Sequence, residues 1–139
     1  MSGSRITELR ETANEAVVAG MYLDLAEGNG EALLATLSPQ IRWTVTAGLP
    51  YGGTYVGPDA VASNVFARFT TEWVDFAVIP DELFGVRDVV LALGHYVGQR
   101  RETGKAMRAR FVHVWRMEGR VPVEFETIAD THTMVAAMS

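Results

Sequence analysis

The stretch VVLALGHYVGQRRETGKAMRARFVHVWRM, residues 89–117, decides the fold. Two runs rich in β-branched and aromatic residues flank Glu102–Lys105, a polar segment whose glycine suits a tight turn. Side chains on a strand alternate between its two faces. The stretch therefore predicts a β-hairpin. One face of its second strand carries Met107, Ala109, Phe111, His113, Trp115 and Met117.

Outward from this hairpin, helical periodicity dominates the first half of the chain and strand patterns dominate the second. The predicted elements are helices over 5–27 and 30–37, a strand over 41–46, a glycine- and tyrosine-rich loop over 48–57, a third helix from Pro58, strands over 73–79, 86–101, 106–117 and 121–129, and a short C-terminal helix capped by Asp130. Helices followed by antiparallel strands predict an α+β fold with the helices on one face of the sheet. Residues 1–139 fit a single domain.

The composition narrows the function classes. The net charge of −5 argues against nucleic acid, and the one basic cluster, from Arg100 to Arg110, reads as a solvated hairpin tip or else a site for phosphate or an acidic partner. The apolar runs are too short to cross a membrane, so no membrane partner is expected. The chain has no cysteine, which excludes disulfides and thiolate chemistry and fits a cytoplasmic location.

Both faces of the first hairpin strand are apolar. The two sets are Val90, Ala92, Gly94, Tyr96 and Gly98 on one face, and Val89, Leu91, Leu93, His95 and Val97 on the other. A sheet with one solvent-exposed face needs apolar residues only on its other face. We therefore expect helices on one face and a second subunit on the other, which makes the protein a homodimer. His95 then belongs to the dimer contact.

The order of the elements and several short motifs resemble the nuclear transport factor 2-like fold, and within it the SnoaL-like and ketosteroid isomerase-like proteins. The motifs are Leu25–Asn29, Ser38–Trp43, Tyr51–Gly57, Thr103–Lys105, Glu118–Arg120, Phe125 and Asp130–Thr131. Each motif is weak by itself, but together they span nearly the whole chain. The resemblance implies a cone-shaped domain, usually a homodimer, with a deep pocket between a curved, mostly antiparallel sheet and the N-terminal helices.

The catalytic residues implied by the steroid isomerases do not match this sequence. Their carboxylate base falls at Val45, and their tyrosine donor falls at Met21, with Tyr22 one residue away on a different helix face. Their protonated aspartic acid falls at His113. Since valine cannot accept a proton, that mechanism should not operate here.

The catalytic residues implied by the SnoaL-type cyclases and the limonene epoxide hydrolases do not match this sequence either. Their catalytic aspartate falls at Thr127, and the hydrolases' arginine and aspartate partners fall at Gly94 and Tyr96. Threonine is no general base near neutral pH without a neighbouring base. A one-residue slip at Pro122 would bring Glu126 inward in place of Thr127, and the sequence leaves both alternatives open.

His113, between Phe111 and Trp115, is the main polar candidate for the pocket face. It is either a proton-transfer group or a structural histidine satisfied by a hydroxyl such as that of Tyr96 or Thr127. The predicted pocket lining is Met21, Trp43, Val45, Phe66, Tyr96, Phe111, Trp115, Phe125 and Thr127. No cofactor or metal is expected, because the three histidines lack metal-ligand spacing.

Two functions remain open at this stage. The first is binding of a small, largely apolar molecule, cyclic or polyketide- or steroid-like, combined with cofactor-free isomerase-, cyclase- or dehydratase-type proton transfer at His113. The alternative is a non-catalytic binding protein or dimeric scaffold that lacks the family's carboxylates.

Overall fold

The structure, a computed structural model, describes residues 2–139, with side chains described from residue 9 onward. The helices are α1 (Ser2–Ala26), α2 (Gly30–Thr36), α3 (Pro58–Val61), α4 (Ala67–Thr71) and α5 (Thr131–Ala136), with a π-helical turn, Ala62–Phe66, joining α3 to α4. The strands are β1 (Arg42–Val45), β2 (Gly53–Val56), β3 (Trp73–Val86), β4 (Val89–Arg100), β5 (Ala106–Glu118) and β6 (Val121–Ala129). This is the α+β arrangement that the sequence predicts.

The six described strands form one curved, open sheet in the order β2-β1-β6-β5-β4-β3. All neighbours are antiparallel except β1 and β6, which run parallel. The prediction of an irregular loop over 48–57 is wrong in its second half, because Gly53–Val56 pairs with β1 as β2. Its glycine gives no strand signal in the sequence, and such a residue is tolerated because β2 lies at the exposed edge of the sheet.

The strand predicted over 73–79 is twice that length. β3 continues to Val86, and the turn into β4 lies at Arg87 and Asp88, so the long strand predicted over 86–101 begins too early. Two β-bulges explain the difference, since pairing with β4 shifts register between Val74 and Ala77 and again between Pro80 and Glu82. Each bulge breaks the two-residue alternation from which strands are recognised.

The helix boundaries follow local chemistry. Gly28 ends the first helix with φ +78°, a conformation that favours glycine. Asn29 caps α2 by accepting a hydrogen bond from the Ala32 amide, and Asp130 caps α5 by accepting one from the Thr133 amide. Hydrogen bonds from Thr133 also lower the pKa of the exposed Asp130 carboxyl.

The core lies between α1 and the inner face of the sheet. On β5 the inner residues are buried and the residues between them are half-buried or exposed, as the alternation predicts. α1 packs against β3 and β4 and is fastened to their hairpin at Glu15, whose carboxylate accepts a hydrogen bond from the Gly85 amide at 2.7 Å. Among the helices of residues 2–139, none combines the length and the apolar character that a membrane span requires.

Candidate functional site: an aromatic cavity

A cavity separates the helices from the inner face of the sheet, where β1, β3, β4, β5 and β6 contribute to its lining. Its lining residues come from every layer of the fold: Tyr22, Leu25, Leu33, Trp43, Val45, Leu49, Tyr51, Val65, Phe66, Phe69, Phe76, Val78, Tyr96, His113, Trp115, Phe125, Thr127, Ala129 and Met134. The gap between these atoms measures about 590 Å³ with its open side included, and about 50 Å³ of it admits the centre of a water-sized sphere. One water needs roughly 10–15 Å³ by that measure, so the space is narrow but hollow.

No Asp, Glu, Lys or Arg occurs among these lining residues. Nine of them are Phe, Tyr or Trp, and their polar groups are hydroxyls, the indole N–H groups of Trp43 and Trp115, and the imidazole of His113. Trp43 stacks on Phe125 with ring centroids 3.8 Å apart, and Trp115 meets Phe125 edge-on at 4.6 Å. A site built this way solvates flat apolar molecules well and charged ones poorly.

Eight of the ten predicted site residues lie on this cavity: Trp43, Val45, Phe66, Tyr96, His113, Trp115, Phe125 and Thr127. Met21 and Phe111 are buried but do not line it.

At the first helix, Tyr22 lines the cavity and Met21 does not, whereas the sequence predicts Met21 as the lining residue. Successive helical residues differ in direction by 100°, and the buried arc of α1 is wide enough to include both side chains. Met21 is buried away from the cavity, whereas the Tyr22 hydroxyl contacts His113 and Trp115 on β5.

Phe111 is excluded from the cavity by the register of β4 and β5. It pairs with Gly94, and a methyl group added at Gly94 would lie 2.6 Å from Phe111 Cζ and 2.2 Å from the Ile79 carbonyl oxygen. The ring therefore fills the space that glycine leaves, and it stacks on His113 with centroids 3.7 Å apart. The sequence suggests that Gly94, which has no side chain and lies among large rings, leaves room for a ligand, but the Phe111 ring occupies that room.

Five polar side chains form a continuous hydrogen-bonded chain, which we call the polar chain: Trp115, Tyr22, His113, Tyr96 and Thr127. Trp115 Nε1–H donates to the Tyr22 hydroxyl oxygen at 2.9 Å, and that hydroxyl is 2.6 Å from His113 Nδ1. On the other side, His113 Nε2 lies 2.7 Å from the Tyr96 hydroxyl, which is 3.1 Å from Thr127 Oγ1. Both ring nitrogens of His113 thus have tyrosine partners, of which only Tyr96 was foreseen.

Burial sets the protonation states of this chain. It lowers the pKa of His113 well below its ordinary value, so the ring is neutral at pH 7. Burial also raises the pKa of both Tyr22 and Tyr96, although hydrogen bonding with Trp115 and with Thr127, respectively, opposes the rise. All five members are therefore uncharged and carry their protons at neutral pH.

Thr127, and not Glu126, faces the cavity. Thr127 pairs with His113 and is 6% exposed, whereas Glu126 is exposed on the outer face. A register shift does occur beside Pro122, but Phe125 already pairs with Trp115, so the alternation is restored before residue 126. The slip that would have supplied a catalytic carboxylate is absent.

One wall of the cavity connects to a charged cluster that the sequence does not reveal. Tyr51 lines the wall, and the Arg68 guanidinium lies 4.7 Å above its ring. Glu72 receives hydrogen bonds from Arg68 at 2.7 Å and from Arg100 at 3.1 Å. Burial, followed by the charge of Glu72, raises the pKa of Tyr51 to about 12. Arg100 is thus bound and packed over Trp73 rather than solvated at the hairpin tip.

The two other histidines lie away from the cavity. His95 is on the outer face, where its Nδ1 is 2.9 Å from an Asp81 carboxylate oxygen, and His132 is exposed. Among the described residues, no three His, Asp or Glu side chains converge as metal ligands would.

The comparisons with known proteins agree with this fold. A family model for the SnoaL-like domain matches residues 18–121. The chain belongs to the SnoaL-like family. The fold is that of a family of ligand-binding and isomerase or cyclase proteins. No match was found among curated proteins.

Solved structures of this SnoaL-like chain's relatives cover nearly all of it. An NTF2-like protein from Burkholderia thailandensis E264 is 36% identical, with a TM-score of 0.87 over 91% of this chain and 97% of that one. An NTF2-like protein of unknown function from Burkholderia pseudomallei K96243 is 30% identical, with a TM-score of 0.83 over 91% and 98%. TerC, co-crystallised with polyporic acid, shares the fold at 22% identity, with a TM-score of 0.81 over 91% and 98%.

Proposed function

We propose that this SnoaL-like protein binds a small, uncharged, ring-containing molecule in the aromatic cavity. The observation that carries the proposal is the combination of a hollow, aromatic interior with a single polar feature, the neutral polar chain. A buried charge on a ligand would find no counter-charge among the lining residues, so a charged ligand pays an uncompensated desolvation cost. Neighbours of this fold have been crystallised with small molecules, TerC with polyporic acid and a protein from Catenulispora acidiphila with trimethylamine, which supports small-molecule binding by the fold.

Tryptophan fluorescence offers a direct test, since two of the three tryptophans, Trp43 and Trp115, line the cavity. Titration with indane, a flat neutral hydrocarbon, should change their emission and raise the Tm. Val45→Phe places a large ring in the cavity and should abolish both effects. The matched control is Val56→Phe, because Val56 is also a strand valine but is 57% exposed. Equal binding by both variants would reject the cavity as the site.

A second candidate is cofactor-free proton transfer by His113, and the polar chain is the observation that favours it. A hydrogen-bonded path Tyr22–His113–Tyr96 can pass protons without a charged carboxylate. Against it stand the occupied ring nitrogens and the lowered pKa of His113, which make the imidazole a weak base. Deuterium exchange at the carbon beside the carbonyl of indan-1-one, followed by NMR, tests the reaction. A protein-dependent rate that falls at least about 100-fold in His113→Gln would establish it.

We also propose that the protein is a homodimer that pairs through the outer face of the sheet. Apolar residues form a row across three strands there, because Leu93 pairs with Val112 and Val112 pairs with Ile128. Ile128 is 52% exposed, and the other two are half-buried. Sedimentation at micromolar concentration should give a dimer, and Val112→Asp should give a monomer. A monomeric wild-type chain would contradict the proposal.

We also propose a cytoplasmic location, which is the location expected from the cysteine-free sequence.

A further inference from the structure

The protons of the polar chain do not balance its hydrogen bonds. Each of its five members supplies one proton: the Trp115 indole N–H, the three hydroxyls of Tyr22, Tyr96 and Thr127, and one N–H of the neutral His113 ring. Four hydrogen bonds join the five members. Whatever the direction of the bonds, one proton remains without an acceptor inside the chain.

Three arrangements are possible, and they leave the spare proton on Thr127, on Tyr96 or on Tyr22. The Trp115 N–H can only donate, so it always occupies one lone pair of the Tyr22 oxygen. If Tyr22 then donates to His113 Nδ1, the Nε2–H donates to Tyr96. In the first arrangement Tyr96 donates to Thr127 and the Thr127 proton is spare, whereas in another Thr127 donates to Tyr96 and the Tyr96 proton is spare. If every later bond of the first arrangement is reversed, the Tyr22 proton is spare.

Donor and acceptor strengths favour the first arrangement. A phenol is a stronger donor than an aliphatic hydroxyl, and an imidazole nitrogen is a stronger acceptor than a phenol oxygen. The first arrangement lets Tyr22 donate to His113 at 2.6 Å and Tyr96 donate to the aliphatic oxygen of Thr127. Both of the others make Thr127 donate to a phenol oxygen, and the reversed one also makes the Tyr22 oxygen accept from both Trp115 and His113.

Thr127 is placed to offer this proton to a ligand. Its side chain lines the cavity and is 6% exposed, and its hydroxyl has no hydrogen-bond acceptor among the described residues other than the Tyr96 oxygen. A buried donor left without an acceptor costs about 1–3 kcal/mol. Water can satisfy it in the empty cavity, but a ligand that displaces the water must replace that acceptor.

We infer that the ligand carries a neutral hydrogen-bond acceptor, a carbonyl or ether oxygen, that accepts the hydroxyl proton of Thr127. This inference rests on the proposed function and narrows it to ring ketones, quinones and cyclic ethers. Plain hydrocarbons leave the spare proton unpaired, and so do ligands such as indole that can only donate.

The first test reads the direction of the two hydrogen bonds of His113 without a ligand, and the second test below reads whether Thr127 holds the spare proton. In ¹⁵N-histidine-labelled protein, NMR distinguishes the protonated from the unprotonated ring nitrogen, and His113→Gln identifies the His113 signals by their loss. The expected result is the Nε2–H tautomer. The Nδ1–H tautomer would move the spare proton to Tyr22 and overturn the role of Thr127.

The second test uses a matched pair of ligands, indan-1-one and indane, which differ by the carbonyl oxygen. The measured quantity is the ratio of their dissociation constants, indane over indan-1-one, in wild type, Thr127→Val and Thr127→Ser. Valine keeps the shape but removes the hydroxyl, so the ratio should fall about fivefold, the size of one net hydrogen bond. Serine keeps the hydroxyl and should restore the ratio.

The outcomes separate the two proposals. A ratio that Thr127→Val leaves unchanged, while both compounds still bind, overturns the inference and leaves the binding function intact. Failure of both compounds to bind the wild-type protein rejects the proposed function, and the inference falls with it. A fall in Thr127→Val that Thr127→Ser does not restore would mean that packing, and not the hydroxyl, recognises the ketone.

Discussion

The inner face of the sheet has two halves that treat large side chains in opposite ways. Between β4 and β5 each ring faces a small residue: Phe111 pairs with Gly94, His113 with Ala92 and Tyr96 with Ala109. Between β5, β6 and β1 large faces large, because Trp115 pairs with Phe125 and Phe125 with Trp43. We call the first half the packed half, because small residues face its rings and Phe111 does not line the cavity, although Tyr96 and His113 do. In the second half Trp43, Trp115 and Phe125 all line the cavity. The difference shows that cross-strand pairing, more than composition, decides where a cavity forms.

The largest effect on stability is expected from enlarging Gly94, the smallest residue that faces a ring in the packed half. Gly94→Ala would place a methyl group 2.2 Å from the Ile79 carbonyl oxygen and 2.6 Å from Phe111 Cζ, and the backbone oxygen cannot move aside cheaply. We expect a loss of about 3 kcal/mol in the free energy of unfolding, measured in urea. Gly20→Ala is the matched control, since nothing lies within 4 Å of an added Cβ there. It should stabilise α1 by up to about 1 kcal/mol.

The polar chain joins the two halves, and cutting it at Tyr22 should have the next largest effect. Tyr22→Phe leaves the buried Trp115 N–H and His113 Nδ1 without their partner, at an expected loss of about 2 kcal/mol in unfolding free energy. Tyr55→Phe removes a hydroxyl that donates to the Tyr51 carbonyl in a half-buried position, and should cost less than about 1 kcal/mol. Equal losses would mean that the chain contributes no more than an ordinary peripheral hydrogen bond.

His113 should make the stability of the protein fall as the solution becomes acidic. Its pKa is lowered in the folded state, so below about pH 6.5 the unfolded chain binds a proton that the folded chain refuses. Its contribution is fully present above that pH, and unfolding free energy should decline by at most about 1.4 kcal/mol per pH unit below it. Urea titrations from pH 7 to pH 5 measure this slope. His113→Gln should flatten it, whereas His132→Gln, at an exposed site, should not.

Much of this architecture could be predicted from the sequence, because alternation and capping are local signals. They gave the α+β fold, the inward face of β5 and the caps at Asn29 and Asp130. The sequence pattern did not predict β2 or the second half of β3, because an edge position in the first case and β-bulges in the second override the local pattern. Resemblance to known proteins suggested the pocket.

The details of the site depend on features that no local pattern encodes. The register that pairs Phe111 with Gly94 closed a space that alternation left open. The rotation of α1 brought Tyr22 to His113. A signal for Tyr22 did exist, because a histidine on an apolar strand face needs polar partners and Tyr22 lies one position from the implied donor.

The finest test compares the same substitution in the two halves. Val90 and Val45 are both buried strand valines on the inner face, but Val90 belongs to the packed half, whereas Val45 lines the cavity. A leucine adds one methylene, which should cost about 1–2 kcal/mol at Val90, where neighbours must move, and less than about 0.5 kcal/mol at Val45, where the group enters empty space. The order should reverse for indane binding, with Val45→Leu weakening it and Val90→Leu leaving it nearly unchanged. Equal stability losses at the two sites would show that the hollow half is packed as tightly as the other, because only a real cavity can accept the added methylene without strain.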